Sequence, residues 1–150
     1  MDFLAITKTG DVKDPTRAHD TDAGVDFFVP NDFESVTVAP NGTALINLKV
    51  KTTFPKGYAL IFFDKSGVAL KKNLILKGGV VDSEYTGELV LQLANVGSTE
   101  SKIEPGEKII QGILMPISLA MPVIVSAEEY ADMTTNSARG ENGHGSTGSF

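Results

Sequence analysis

The chain has 150 residues, 41% of them hydrophobic, with mean hydropathy near zero and a net charge of −6, as expected for one soluble domain around a single core. With no cysteine and only two histidines, His19 and His144, disulfides, cysteine zinc sites and thiol nucleophiles are excluded, and little is left for a histidine-based metal site. The acidic balance argues against a general nucleic-acid binder; without a signal pattern at Met1-Asp-Phe-Leu-Ala5 or a membrane-length apolar run, a cytoplasmic, intracellular location with no membrane partner is expected.

Along the chain, apolar and polar residues alternate with a period of two at Val36-Thr-Val38, at Ile46-Asn-Leu48-Lys-Val50-Lys51 and at Glu88-Leu-Val-Leu-Gln-Leu93. These segments read as strands. Turn signals separate them, among them Pro40-Asn-Gly42, Pro55-Lys-Gly57, Gly78-Gly79 and Glu104-Pro-Gly106. The fold class is therefore all-β, a sandwich or jelly roll.

Lys65, Lys71, Lys72 and Lys77 share a stretch whose only acid is Asp64. They suit either a small anionic ligand or a solvated lysine-rich sheet edge. Ile113-Leu-Met-Pro-Ile117 and Met121-Pro-Val-Ile-Val125 are strongly apolar, and their prolines suit segments crossing between subunits better than central strands; a plain core or edge strand is the other reading. The sole predicted helix starts at Ser126, where Ser-Ala-Glu-Glu129 can form a capping box. No Val, Leu or Ile occurs beyond Thr134, so residues 1–133 read as the domain and 134–150 as a tail that orders on binding. The tail's glycines, Arg139, Ser146 and Thr147 suit phosphate wrapping.

Five short segments occur in order: Ala23-Gly-Val-Asp26-Phe27, Lys65-Ser-Gly-Val-Ala69, Gly79-Val-Val-Asp82-Ser-Glu-Tyr85-Thr-Gly87, Gly106-Glu-Lys-Ile-Ile-Gln111, and Arg139-Gly to Gly145-Ser-Thr-Gly148. The set resembles the five motifs of the trimeric dUTPases, the deoxyuridine triphosphate nucleotidohydrolases. That resemblance implies a distorted jelly roll, a homotrimer with exchanged C-terminal segments, and hydrolysis of dUTP to dUMP and pyrophosphate. The related dCTP deaminases, which share the fold, and a non-catalytic binding trimer are the alternatives.

The resemblance also implies roles. Asp82 is the general base that turns water toward the α-phosphorus, and Tyr85 packs under the deoxyribose. Gly78, Gly79 and Val80 belong to a hairpin, Asn73 to Val80, that receives uracil. Lys65, Ser66, Gly67 and Gln111 hold phosphates, as do Arg139, Gly145, Ser146 and Thr147 of the tail. Asp26 lies near metal-bound waters or supports the site by hydrogen bonds, and Mg²⁺ rides on the substrate triphosphate. Two positions depart from the family pattern: Lys65 replaces a usual arginine and His144 a usual phenylalanine. His144 can still stack on uracil, and the terminal Phe150 is a candidate substitute lid.

Overall fold

The structure, a computed structural model, describes residues 3–137 and Gly140. Strands β1 (Ala5–Lys8), β2 (Val25–Phe28), β3 (Val36–Val38), β4 (Thr43–Asn47), β5 (Val50–Thr53) and β6 (Tyr58–Asp64) lead to a short helix, α1 (Ser66–Lys72). Then follow β7 (Leu74–Lys77), β8 (Val80–Asp82), β9 (Val90–Asn95), β10 (Ser101–Ile103), β11 (Lys108–Pro116) and α2 (Ala127–Thr134). Two sheets dominate, one ordered β2-β11-β6-β8 and the other β4-β9-β7, with two further strand pairs, β1-β5 and β10-β3. All these pairings are antiparallel. The expected all-β sandwich, a distorted jelly roll, is what forms. Phe27, Ile46, Leu60, Leu91, Leu93 and Ile110 fill its core, with Phe27 and Phe62 in edge-to-face contact at 5.1 Å.

Four readings need correction. The clearest alternation, Ile46 to Lys51, is two strands: β4 ends at Asn47 and β5 begins at Val50. Ile46, Leu48 and Val50 stay buried throughout, so the period of two survives. The break lies in the backbone, where Lys49 takes φ +54° and donates its N–H to Asn47 Oδ1 at 2.8 Å. The chain thereby leaves one sheet for another without exposing an apolar residue.

The second correction is that Ser126 does not start the sole helix, because α1 begins at Ser66. Its N-cap, Lys65, contributes no side-chain cap, whereas the left-handed Asn73 at its C-cap, φ +51°, donates its N–H to Ala69 O. Helix α2 forms as expected: Glu129 N–H donates to Ser126 Oγ and Ser126 N–H to Glu129 Oε2.

Third, Ile113–Pro116 is no crossing segment but part of β11, in the middle of the larger sheet. Ile117 N–H donates to Gly57 O at 2.8 Å, so by alternation the missing N–H of Pro116 falls on the opposite edge, where β2 stops pairing at Gly112. Met121–Val125, in contrast, belongs to no strand, and Met121, Val123 and Ile124 are exposed.

Gly78 and Gly79 join β7 to β8 in different sheets, so Asn73–Val80 is a link between layers and not a ladder hairpin. Gly79 has φ +137°, and a Cβ there would lie 2.6 Å from Leu76 Cδ2 and 3.2 Å from Phe62 O. Such a backbone is close to glycine-only, costing other residues about 1–3 kcal/mol. Gly79→Ala should therefore lower the melting temperature by roughly 4–8 °C for a loss near 2 kcal/mol; an unchanged melting curve would show that the link relaxes freely.

The chain divides into one unit, Met1–Ser118, and a second, Leu119–Phe150. Among the described residues no helix is long and apolar enough to cross a membrane.

Candidate active site

A concavity of about 210 Å³ opens beside β8. Lys77, Gly79, Val80, Asp82 and Tyr85 line it above an apolar floor that includes Phe62 and Leu91. Asp82 closes β8 opposite Ala59, which fixes its backbone while leaving the side chain exposed. Its carbonyl accepts the Tyr85 N–H at 3.1 Å, so the turn carries Tyr85 back over the same opening. The Tyr85 hydroxyl donates to Glu88 O at 2.9 Å. Gly87 makes room for that ring, since a Cβ there would meet the hydroxyl at 2.4 Å. An exposed carboxylate and a pinned aromatic thus face one small pocket, a geometry able to hold a sugar-sized group beside a proton acceptor. The Gly79 carbonyl already accepts the Phe62 N–H at 2.7 Å, which fixes the wall of the pocket.

A second cluster forms where β2, β6 and β11 meet. Gln111 pairs with Asp26 on one side and Phe63 on the other, and its Nε2 donates to Asp64 O at 2.9 Å. Asp26, 5% exposed, is held by two ammoniums: Lys65 Nζ donates to Oδ1, and Lys108 Nζ to Oδ2 at 2.8 Å. Burial pushes the Asp26 carboxyl up, but hydrogen bonds and charge from Lys108 and Lys65 outweigh it and hold the group below the ordinary carboxylate range. Ser66 and Gly67 stand exposed at the start of α1. Nothing lies within 4 Å of a Cβ placed at Gly67.

Sequence reasoning did not single out Lys108. Between Lys108 and Ile110 the register of β11 on β2 shifts, so one extra residue is accommodated and Ile109 and Ile110 are both buried. Strict alternation would place Lys108 and Gln111 on opposite faces. The bulge turns Lys108 onto the face of Asp26 and Gln111 instead, as bulges beside functional sites commonly do. Two adjacent buried isoleucines in Gly106-Glu-Lys-Ile-Ile-Gln111 are the one signal that could have shown it.

The structure therefore brings Gly79, Val80, Asp82 and Tyr85 together, and separately Asp26, Lys65 and Gln111 with Lys108. Gly78 adjoins the first group without lining the pocket. Asp82 lies opposite Ala59 and Gln111 opposite Phe63, so these two residues flank β6 four residues, about 14 Å, apart along it, while the pocket wall at Phe62 and Leu76 reaches to the edge of the Gln111 cluster. The Lys-rich stretch is partly neutralised, because Lys65 pairs with Asp26 and Lys72 with Glu107 at 2.5 Å. Arg139, His144, Gly145, Ser146, Thr147 and Phe150 lie outside the described residues.

The profile of the dUTPase family matches residues 10–148. The chain belongs to that family. The deoxyuridine 5'-triphosphate nucleotidohydrolase of Clostridium novyi (strain NT) is 37% identical over 136 residues, 89% of each chain, and that of Corynebacterium jeikeium (strain K411) is 36% identical over 137 residues, 89% of this chain and 84% of the other. A point mutant of the Staphylococcus bacteriophage 80alpha dUTPase, solved with dUpNHpp, superposes with a TM-score of 0.82 at 28% identity, covering 97% of this chain and 98% of that one. As a dUTPase, the protein is an enzyme, and dUTP hydrolysis is the reaction of its family.

Proposed function

We propose that this dUTPase cleaves dUTP to dUMP and pyrophosphate in sites shared between subunits of a homotrimer, lowering the dUTP pool and supplying dUMP. The observation that carries the shared site is the spacing of Asp82, opposite Ala59, and Gln111, opposite Phe63, which flank β6 on opposite sides about 14 Å apart along it. In this reading the Gln111 of a neighbouring subunit completes the phosphate site beside Asp82. The exposed apolar run through Met121, Val123 and Ile124 supports subunit contact, since a monomer gains nothing by leaving it in water.

Asp82 accepts a proton from water, the water oxygen bonds to the α-phosphorus, and the bond to the bridging oxygen breaks as pyrophosphate leaves. Tyr85 packs under the sugar and leaves no room for a 2′-hydroxyl, while the backbone of Gly78, Gly79 and Val80 faces the base. Gln111 and Ser66, from another subunit, donate to phosphate oxygens, and the tail residues Arg139, Gly145, Ser146 and Thr147 close over them, with His144 stacked on the base. The free approach to Gly67 suits an anion lying against the backbone.

Among the described residues no group of three or more His, Asp or Glu side chains could cage a metal, and Asp26 spends both oxygens on lysines. This donor set fits Mg²⁺ carried by the triphosphate, with most of its own water kept and Asp26 supporting the site through Lys65 and Lys108. When bound, the ion neutralises charge on the phosphates.

The test is turnover of dUTP, dCTP, dTTP and UTP with Mg²⁺, following pyrophosphate and base together. Pyrophosphate from dUTP alone is expected; ammonia from dCTP would overturn the reading. Sharing of the site is tested by dissociating Asp82→Asn and Gln111→Ala trimers and reassembling them as a mixture. Random equimolar assembly should restore about a quarter of the sites, and no recovery in verified mixed trimers would place both residues in one subunit's site.

A further inference from the structure

Gly24, buried just ahead of β2, has a φ outside the left-handed region. Torsion therefore gives no reason for a glycine there, and the reason is space. A Cβ at Gly24 would lie 2.5 Å from Gln111 Oε1, 3.0 Å from its Cβ and 3.2 Å from its Cδ, with no other residue among the three nearest atoms. The side chain of Gln111 thus lies across the bare α-carbon of Gly24, while its Nε2 donates to Asp64 O at 2.9 Å. The amide is thus held between the bare α-carbon of Gly24 and the carbonyl of Asp64.

We infer that Gly24 is a positioning residue for Gln111: its missing side chain is the slot that sets where the amide points. An amide nitrogen carries two N–H groups. With one spent on Asp64 O, the orientation of the second is settled by the same two contacts. Two residues further on, Asp26 anchors Lys65 and Lys108, so the segment Ala23–Phe27 sets the aim of three polar side chains. Gln111 has three rotatable bonds before its amide, and holding it in advance removes an ordering cost that binding would otherwise bear. The inference rests on the reading of Gln111 as a phosphate donor, and the experiment separates the two.

Dissociation constants for dUpNHpp, kcat and KM for dUTP, and melting temperatures are measured for Gly24→Ala, Gln111→Ala and the double variant. Gln111→Ala should weaken dUpNHpp binding by roughly ten- to a hundredfold, the range for one hydrogen bond to a charged group. Gly24→Ala should weaken it comparably, and in the Gln111→Ala background it should cost no more than about twofold, because residues acting through one contact are not additive. Full additivity would overturn the slot, as would wild-type affinity in Gly24→Ala. Normal binding by Gln111→Ala would instead overturn the phosphate role of Gln111 and leave the packing of Gly24 to be read from the melting temperatures. If Gly24→Ala does not fold, the double variant decides: without the obstructing amide it should fold again, and failure to do so would refute the inference.

Discussion

Asp82→Asn is expected to lower kcat for dUTP by about 10²–10⁴, the usual loss when a general base goes, while the affinity for dUpNHpp changes by less than about threefold. The substitution is close to isosteric and removes only the capacity to take a proton. The backbone of Asp82 is held twice, by pairing with Ala59 and by the Tyr85 N–H on its carbonyl, so neither the strand nor the turn should move. Glu88 is not a ready substitute: its carboxylate accepts from Thr9 Oγ1 and Asn47 Nδ2, which hold it ionised and in place. Single-turnover measurements with a saturating excess of enzyme separate chemistry from product release. A variant that keeps more than about a tenth of the chemical rate would remove Asp82 from the role of base.

Most of the sandwich was legible because β-strands with one buried face write their period into the sequence. Val36–Val38 forms a strand with the expected bounds. What could not be read is the point at which one alternating run changes sheets. At Lys49 the hydrophobic pattern runs on unbroken while the backbone turns through a left-handed residue, and lysine does not advertise such a turn as glycine would. Helix α1 escaped for a related reason. Its signal sits at the far end, in the left-handed Asn73, while its start carries neither a capping oxygen nor an acidic first turn.

In the site, the residue types of motif-like segments were legible and their mutual geometry was not. Asp82 and Tyr85 are three apart in sequence and share a pocket. Gln111 and Lys108 are also three apart, yet they share a face only because a bulge inserts Ile109 between them. Spacing alone gives the same number for both pairs. The difference lies in strand register, which depends on what β11 must bury against β2.

Asp26→Asn is expected to be the most destabilising substitution in this cluster. At neutral pH it keeps the shape of the side chain but leaves Lys65 and Lys108 without their shared counter-ion beside a buried site. Breaking a buried ion pair from one side costs about 3–5 kcal/mol, and the partial exposure of both lysines, 24% and 40%, places the expected loss at or below the lower end. The sign of the pH dependence follows from the carboxyl. Held below its ordinary value in the folded protein, it contributes stability that is present above the unfolded carboxylate pKa, about 3.9, and lost as pH falls through the folded value. Other carboxylates titrate in both proteins and cancel in the difference. Urea unfolding of wild type and Asp26→Asn at one fixed protein concentration, between about pH 3 and 7, should therefore show a gap that is widest at neutral pH and narrows toward the acid end, where protonated Asp26 resembles asparagine. A gap of constant size across that range would mean that hydrogen bonding, and not the charge of Asp26, holds the two lysines in register with Gln111.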